Sequence, residues 1–256
     1  MASTRASELF DLRGRRALVT GASSGLGRRF ATVLAQAGAT VVAVARRADR
    51  LAELAAEQPG IVPMAADLSI GSERERLVAE AEASVGPLDV LVNNAGSIVA
   101  TPIERETMDD FTATLEVNLV AGWHLAKLVG TGMAGRGKGS IVNIASIWGV
   151  VGAAPARAAG YSASKGAVVN LTRELALQWG RKGVRVNAIC PGWVATEMNE
   201  SLHDDPASLD VLRQYCPIPR FARVDEFDGP LLLLASDAGS YITGAVLMVD
   251  GGWTAR

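Results

Sequence analysis

The chain has 256 residues, 49% of them hydrophobic and 20% charged, which is ample material for a sizeable buried core. Its 25 basic and 27 acidic side chains leave a formal net charge of -2 without like-charge blocks, excluding the electrostatic footprint of a nucleic-acid or anionic-membrane binder. The start MASTRASELF lacks the apolar core of a secretory signal, no apolar run approaches the roughly 18 residues needed to span a bilayer, and two cysteines without metal-ligand spacing, Cys190 and Cys216, fit a reducing, cytoplasmic setting.

Residues 1–12 read as an N-terminal extension to one domain that fills the chain, 1–256. Beyond them, short β-branched or apolar runs alternate with longer amphipathic stretches, the mark of βαβ units and a parallel sheet. The first strand, 16–20 (RALVT), runs into TGASSGLG and a helical pattern over 27–38. Glycines at 21, 25 and 27, with Ser23, Ser24 and Leu26 between them, let the backbone turn tightly and approach a pyrophosphate, whose charge a helix start attracts. The spacing G-x-x-x-G-x-G differs from the commoner G-x-G-x-x-G, and three glycines in such a turn can also serve packing alone.

The second strand, 40–45, ends in AVARRADR, followed by a helix over 48–57. Dinucleotide folds place a ribose-binding carboxylate near this point. Here Ala45 is followed by Arg46 and Arg47, which suits a 2′-phosphate and favours NADP(H), with NAD(H) as the alternative. Read blandly, both arginines are solvated residues at a helix start.

A third strand, 61–66, leads to Asp67 and Leu68, then a helix over 72–85 stopped at Gly86. A fourth, 88–93, leads to NNAG and a long helix over 108–130. The fifth, 140–145, ends beside Ser146; the next helix, 160–181, opens with YSASK; the sixth, 184–190, runs into PGWVAT. The stretch 197–219 breaks a helical pattern with HDDPAS and CPIPR and reads as a movable lid. The penultimate helix starts late, with Asp228 as N-cap and Pro230 in its first turn, before the last strand, 245–249.

Within YSASK, Tyr161 and Lys165 stand one turn apart on one helix face. Those five residues alone favour an ordinary surface helix. An acid/base pair becomes the better reading only with the ordered set around it: TGASSGLG, Asp67-Leu68, NNAG, Asn118, Ser146, YSASK, PGWVAT and the closing VDGGW. In these the chain resembles the short-chain dehydrogenase/reductase family in its roughly 250-residue form, from about residue 13 to 253. The resemblance implies a Rossmann-type α/β fold, a doubly wound parallel seven-stranded sheet with helices on both faces. It implies a catalytic group of Asn118, Ser146, Tyr161 and Lys165, with Asn118 opening its helix to hold a water that links Lys165 to solvent. Asp67 would then contact the adenine, Leu68 following it; Asn94, Ala95 and Gly96 would line the cofactor; Pro191, Gly192, Val194 and Thr196 would lie at its nicotinamide end. NADP-preferring relatives often carry a basic residue before the second glycine, where this chain has Ser24.

A free tyrosine titrates near pH 10, and a neighbouring ammonium favours its phenolate. Tyr161 then acts as general acid when a carbonyl is reduced and as general base when an alcohol is oxidised, while Ser146 holds the substrate oxygen. Ser146, Ile147, Trp148, Ala153, Tyr161, Trp193, Met198 and the 197–219 stretch form the expected substrate pocket, and its tryptophans and small aliphatics point to an apolar ketone or secondary alcohol. Arg157 faces either substrate or solvent. His124 reads as a core or interface residue, His203 as part of the lid, and no metal cluster is expected. The expected partner is a small carbonyl or alcohol, with neither nucleic acid nor membrane involved. Relatives' habits imply a homotetramer packed through helices 108–130 and 160–181. The competing readings are a 3-oxoacyl-thioester reductase or an NAD(H)-dependent sugar or polyol dehydrogenase, an epimerase or dehydratase, and a non-catalytic dinucleotide-binding regulator.

Overall fold

A computed structural model describes residues 6–255, without the side chains of Ala6, Ser7 and Met198. Seven strands form one all-parallel sheet: β1 (Arg16–Thr20), β2 (Thr40–Ala45), β3 (Ile61–Ala65), β4 (Val90–Asn93), β5 (Gly139–Ile144), β6 (Val184–Pro191) and β7 (Val246–Val249), in the order β3-β2-β1-β4-β5-β6-β7. Between them run α1 (Gly25–Gln36), α2 (Ala48–Glu57), α3 (Gly71–Val85), α4 (Met108–Leu115), α5 (Ala121–Arg136), α6 (Ala159–Trp179), α7 (Pro206–Tyr215) and α8 (Asp228–Ala235). The expected fold class is the one observed.

The inner strands are mostly apolar because both faces of the sheet are covered. Ala17 and Val19, Val41 and Ala43, and Val90 and Val92 point into a layer with Phe30, Leu34, Leu51, Leu54, Leu231 and Leu234 from α1, α2 and α8. Leu18, Val42, Val44 and Leu91 point the other way, onto Leu77, Leu125, Val129, Met133 and Leu175 from α3, α5 and α6. Leu12, at the end of the expected N-terminal extension, is buried in the first layer, its N–H donating to the Ala37 carbonyl at 2.8 Å; residues 1–5 of that extension lie outside the described residues.

β3 is an outer strand and contains Pro63, opposite Ala43. The Gly60 carbonyl accepts from Val41 N and Ala66 N donates to the Ala45 carbonyl, so by the two-residue period residues 62 and 64 face β2 and Pro63 faces outward. The missing N–H therefore costs the sheet no hydrogen bond.

The helix over 108–130 opens around Asn118, where the resemblance implied an opening: Glu116–Val120 forms a π-helical turn between α4 and α5, and α5 runs on past residue 130 to Arg136. One expectation is corrected. Asp228 is the first residue of α8 and does not cap it; Phe227 is the N-cap, and the Asp228 carboxylate is taken by the Arg29 guanidinium of α1. Pro230 does lie in the first turn of α8. The Glu116 end of the π turn is anchored by Arg74, a 5%-exposed cation of α3 that donates to Glu116 Oε1 at 2.7 Å, to the Leu68 carbonyl at 2.8 Å and to His124 Nδ1 at 3.2 Å. Among the described residues no helix is long and apolar enough to cross a membrane, and no group of three or more His, Cys, Asp or Glu is placed to hold a metal.

Candidate active site

The sheet winds outward in one direction through β1, β2 and β3 and in the other from β4 on. Open α/β sheets bind ligands at the carboxyl ends of their strands beside such a reversal, and there the structure has a cleft of about 700 Å³.

One end of the cleft is the loop between β1 and α1. Gly21 and Gly25 take φ of 68° and 51°, the left-handed region that costs glycine nothing. At Gly27 a side chain is excluded by contact: a Cβ there would strike the Gly21 carbonyl and the Asn94 amide nitrogen. Asn94 in turn donates to the Thr20 carbonyl at 2.9 Å, and the Thr20 hydroxyl accepts from the N–H groups of Asn94 and Ala95 at 2.9 and 3.0 Å, so the glycine loop and the NNAG loop are one unit. Ser24 is the N-cap of α1 but makes no side-chain capping bond, because its hydroxyl accepts from Arg47 Nη2 at 2.7 Å. Arg47 also donates to Ser23 Oγ from Nη2 (3.0 Å) and Nε (3.2 Å). The basic group that Ser24 does not supply is thus delivered to the same place from the end of β2. Arg46 is exposed at the rim. Hydrogen bonds from Ser69 N–H and hydroxyl, at 3.0 and 2.8 Å, hold the Asp67 carboxyl below its usual range, with the Arg46 charge adding a smaller contribution.

At the other end, Ser146 follows β5 and caps the short 3-10 turn Ile147–Gly149, its hydroxyl accepting from Trp148 N at 3.2 Å. Gly149 lets this turn lie on α6, since a Cβ would come within 2.6 Å of the Lys165 backbone. Tyr161 sits in the first turn of α6, and Lys165 one turn on is 4% exposed, its ammonium donating to the Ile144 carbonyl at 2.8 Å and standing 5.6 Å from the Tyr161 ring centre. Burial raises the Tyr161 phenol above its ordinary value, against a hydrogen bond to Ser146 that lowers it. Burial lowers Lys165 to about 8. A hydroxyl and a phenol beside one another, backed by a buried amine, can hold a carbonyl oxygen and pass it a proton.

The cleft wall includes Gly21, Ser23, Ser24, Gly25, Leu26, Gly27, Arg46, Arg47, Asp67, Leu68, Asn94, Ala95, Gly96, Ser146, Ile147, Trp148, Tyr161, Lys165, Pro191, Gly192, Trp193, Val194 and Thr196, all expected from the sequence. Ala153 is not on the wall; Ala156 is, because the loop turns at Arg157, whose N–H donates to the Ala153 carbonyl and whose φ is 45°. Arg157 itself is exposed. Met198's side chain lies outside the described residues.

Asn118 stands behind the wall. It is 5% exposed, not the helix-surface residue its polarity alone would indicate; it accepts from Ser97 N at 2.8 Å and donates to the Ser97 carbonyl (2.9 Å) and Ser164 Oγ (3.0 Å). Ser97, Ile98 and Val117 also line the cleft and were not expected, whereas Asn199 and Leu202 line it from the 197–219 stretch, as expected of that stretch. The first two directly extend NNAG, which was the available signal. The stretch 197–219 packs onto this end through Leu212 of α7 and Cys216 directly after it, which cluster with Ile147 and Trp253. Trp148 stacks edge-on against Tyr161 and Trp193, with ring centres 5.9 and 5.8 Å apart.

The residues present fit an adenine dinucleotide: α1 opens on the cleft without a side-chain cap, Gly27 keeps the loop tight against Asn94, and the Arg47 guanidinium lies on the glycine loop.

Residues 21–254 match the family profile described as Enoyl-(Acyl carrier protein) reductase. The chain is 40% identical over 254 residues to gluconate 5-dehydrogenase of Gluconobacter oxydans (strain 621H), covering 96% of this chain and 97% of that one. It is 39% identical over 249 residues to L-xylulose reductase of Homo sapiens, covering 97% and 99%. Among solved structures, a gluconate 5-dehydrogenase from Burkholderia cenocepacia J2315 in complex with NADP and tartrate superposes with a TM-score of 0.93 at 37% identity, over 98% of this chain and 100% of the other. With the fold, the glycine loop and the serine, tyrosine and lysine around one cleft all in place, these matches across nearly the whole length make the chain a member of the short-chain dehydrogenase/reductase family of oxidoreductases.

Proposed function

We propose that the protein interconverts a ketone and a secondary alcohol on a sugar or polyol, using NADP(H), with Tyr161 as general acid and base. The observation that carries this reading is the position of Tyr161 and Lys165, one turn apart on α6 and both on the wall of the cleft that begins at the glycine loop. Relatives named galactitol 2-dehydrogenase and D-threitol dehydrogenase, besides the two above, support the substrate class. Their polyhydroxylated substrates are preferred to the apolar ketone that the tryptophans alone pointed to. Solved relatives described with bound NADP support the cofactor, as does Arg47 on the glycine loop.

A nicotinamide dinucleotide held by the glycine loop, Arg47 and the NNAG loop would supply or take the hydride. In reduction the Ser146 hydroxyl holds the carbonyl oxygen, and the Tyr161 phenol gives it a proton as charge develops there. The Lys165 ammonium, fixed on the Ile144 carbonyl, lowers the cost of the phenolate left behind. Asn118 acts at one remove, tying the Ser97 loop to Ser164 of α6, whose hydroxyl donates to the Tyr161 carbonyl at 2.7 Å. The 197–219 stretch serves as the lid, and copies of the chain associate through α5 and α6.

Absorbance at 340 nm, read with NADPH and NADH against ketoses and polyols, tests the assignment. Tyr161→Phe should lose roughly 10²–10⁴-fold in turnover while its affinity for NADPH, measured by calorimetry, stays unchanged. A mutant that turns over like wild type retires Tyr161 from its role. Cofactor binding with no turnover on any substrate would favour the non-catalytic regulator.

A further inference from the structure

The guanidinium of Arg47 is already occupied on both sides. Toward the glycine loop, Nε and Nη2 donate to the hydroxyls of Ser23 and Ser24. On the opposite side, Nη1 donates to Glu197 Oε2 at 3.4 Å. Glu197 lines the cleft directly after Thr196. Two contacts hold Thr196, the residue before it: Asn199 Oδ1 accepts from Thr196 N (3.1 Å) and Oγ1 (3.2 Å), and Gly25 brings the glycine loop against Thr196, where a Cβ would lie 3.3 Å from the threonine methyl. The two walls therefore meet at this ion pair.

A carboxylate and a phosphate monoester present the same oxygens to a guanidinium, and two anions on one cation repel. We infer that Glu197 is a specificity-determining residue: an internal anion that competes with the 2′-phosphate for Arg47 and so limits the preference for the phosphorylated cofactor. The inference rests on reading Arg46 and Arg47 as the 2′-phosphate cradle. Arg46, exposed beside Asp67, remains free of this competition and provides the residual preference. Because the Arg47 and Glu197 side chains are 46% and 54% exposed, solvent screens the pair, and its removal should act by only a few-fold.

Titration calorimetry on the protein without cofactor, using 2′,5′-ADP and 5′-ADP as probes, tests this. Wild type should bind 2′,5′-ADP more tightly than 5′-ADP. Glu197→Gln should tighten 2′,5′-ADP by roughly two- to fivefold, leave 5′-ADP unchanged, and lose that gain in 0.5 M salt. Glu197→Ala should act in the same direction, and Arg47→Met should abolish the difference between wild type and Glu197→Gln. If Glu197→Gln tightens both probes equally or neither, while wild type still prefers 2′,5′-ADP, the competition is overturned and the cofactor reading stands. If wild type shows no preference, the cradle reading falls and the inference with it.

Discussion

Lys165 shows how much one buried side chain can decide. In the unfolded chain its amine holds a proton up to about 10.5, whereas burial in the folded protein lowers that to about 8. The folded pKa of this base is lowered, so between those values unfolding takes up a proton: the charge destabilises the fold below pH 8, by about 3 kcal/mol on the linkage relation, and the cost is relieved as pH rises toward 10.5. Lys165→Met should therefore melt no lower than wild type at pH 7, with the margin in its favour shrinking from pH 8 to 10, and yet lose turnover. The same titration sets the pH profile of carbonyl reduction: kcat/KM should fall above pH 8, as the ammonium that stabilises the phenolate is lost. A reduction rate flat to pH 9.5 would contradict this. Single residues were unevenly legible. Tyr161 and Lys165 could be set on one helix face by their spacing, and Ser146 at the end of its strand, but only the ordered family motifs around them brought the three to one site. The burial of Asn118 could not, since it depends on Ser97 and Ser164, which arrive from other elements. Ala153 was misplaced because the backbone reversal at Arg157 leaves no trace in residue type.

At the level of elements, the first βα turn is the most exacting. A methyl on Gly27 would meet backbone at Gly21, which cannot swing away as a side chain would. Gly27→Ala should cost about 1–3 kcal/mol in a denaturant melt and weaken NADPH binding at least tenfold. Gly135→Ala, in α5 with open space around it, should be neutral or slightly stabilising. Equal effects from the two would remove the special role of the loop. Strand and helix positions followed from apolar periodicity, and β1, β2 and α2 keep their expected ends. Two interruptions did not follow from it, for a common reason. The π turn around Asn118 is held by Arg74 on Glu116 and by Asn118 on its own partners, and Asp228 is drawn from its capping role by Arg29 of α1. Local pattern carries helix propensity, whereas these features are set by partners far along the chain.

For the whole molecule, the apolar pattern announced seven strands and the family resemblance a doubly wound sheet, but their order came only with the structure, because periodicity does not say which strand lies beside which. The exposed apolar side chains also belong to this scale. Met108 and Trp123 at α4 and α5, Leu177 on α6 and Tyr241 before β7 are 72%, 45%, 79% and 103% exposed, and the proposed association of copies would cover part of this surface. Sedimentation equilibrium should return a multiple of 26.7 kDa; a single-chain mass at micromolar concentration would retire the assembly. Pro63 has an effect that reaches beyond the single chain. An open sheet margin is a template on which a foreign or newly made polypeptide can zip itself up. On the β3 side a ring nitrogen without hydrogen occupies the middle of the outward-facing row, so such a growing ladder would stall at that rung, and this flank of the protein is shielded from runaway fibre formation.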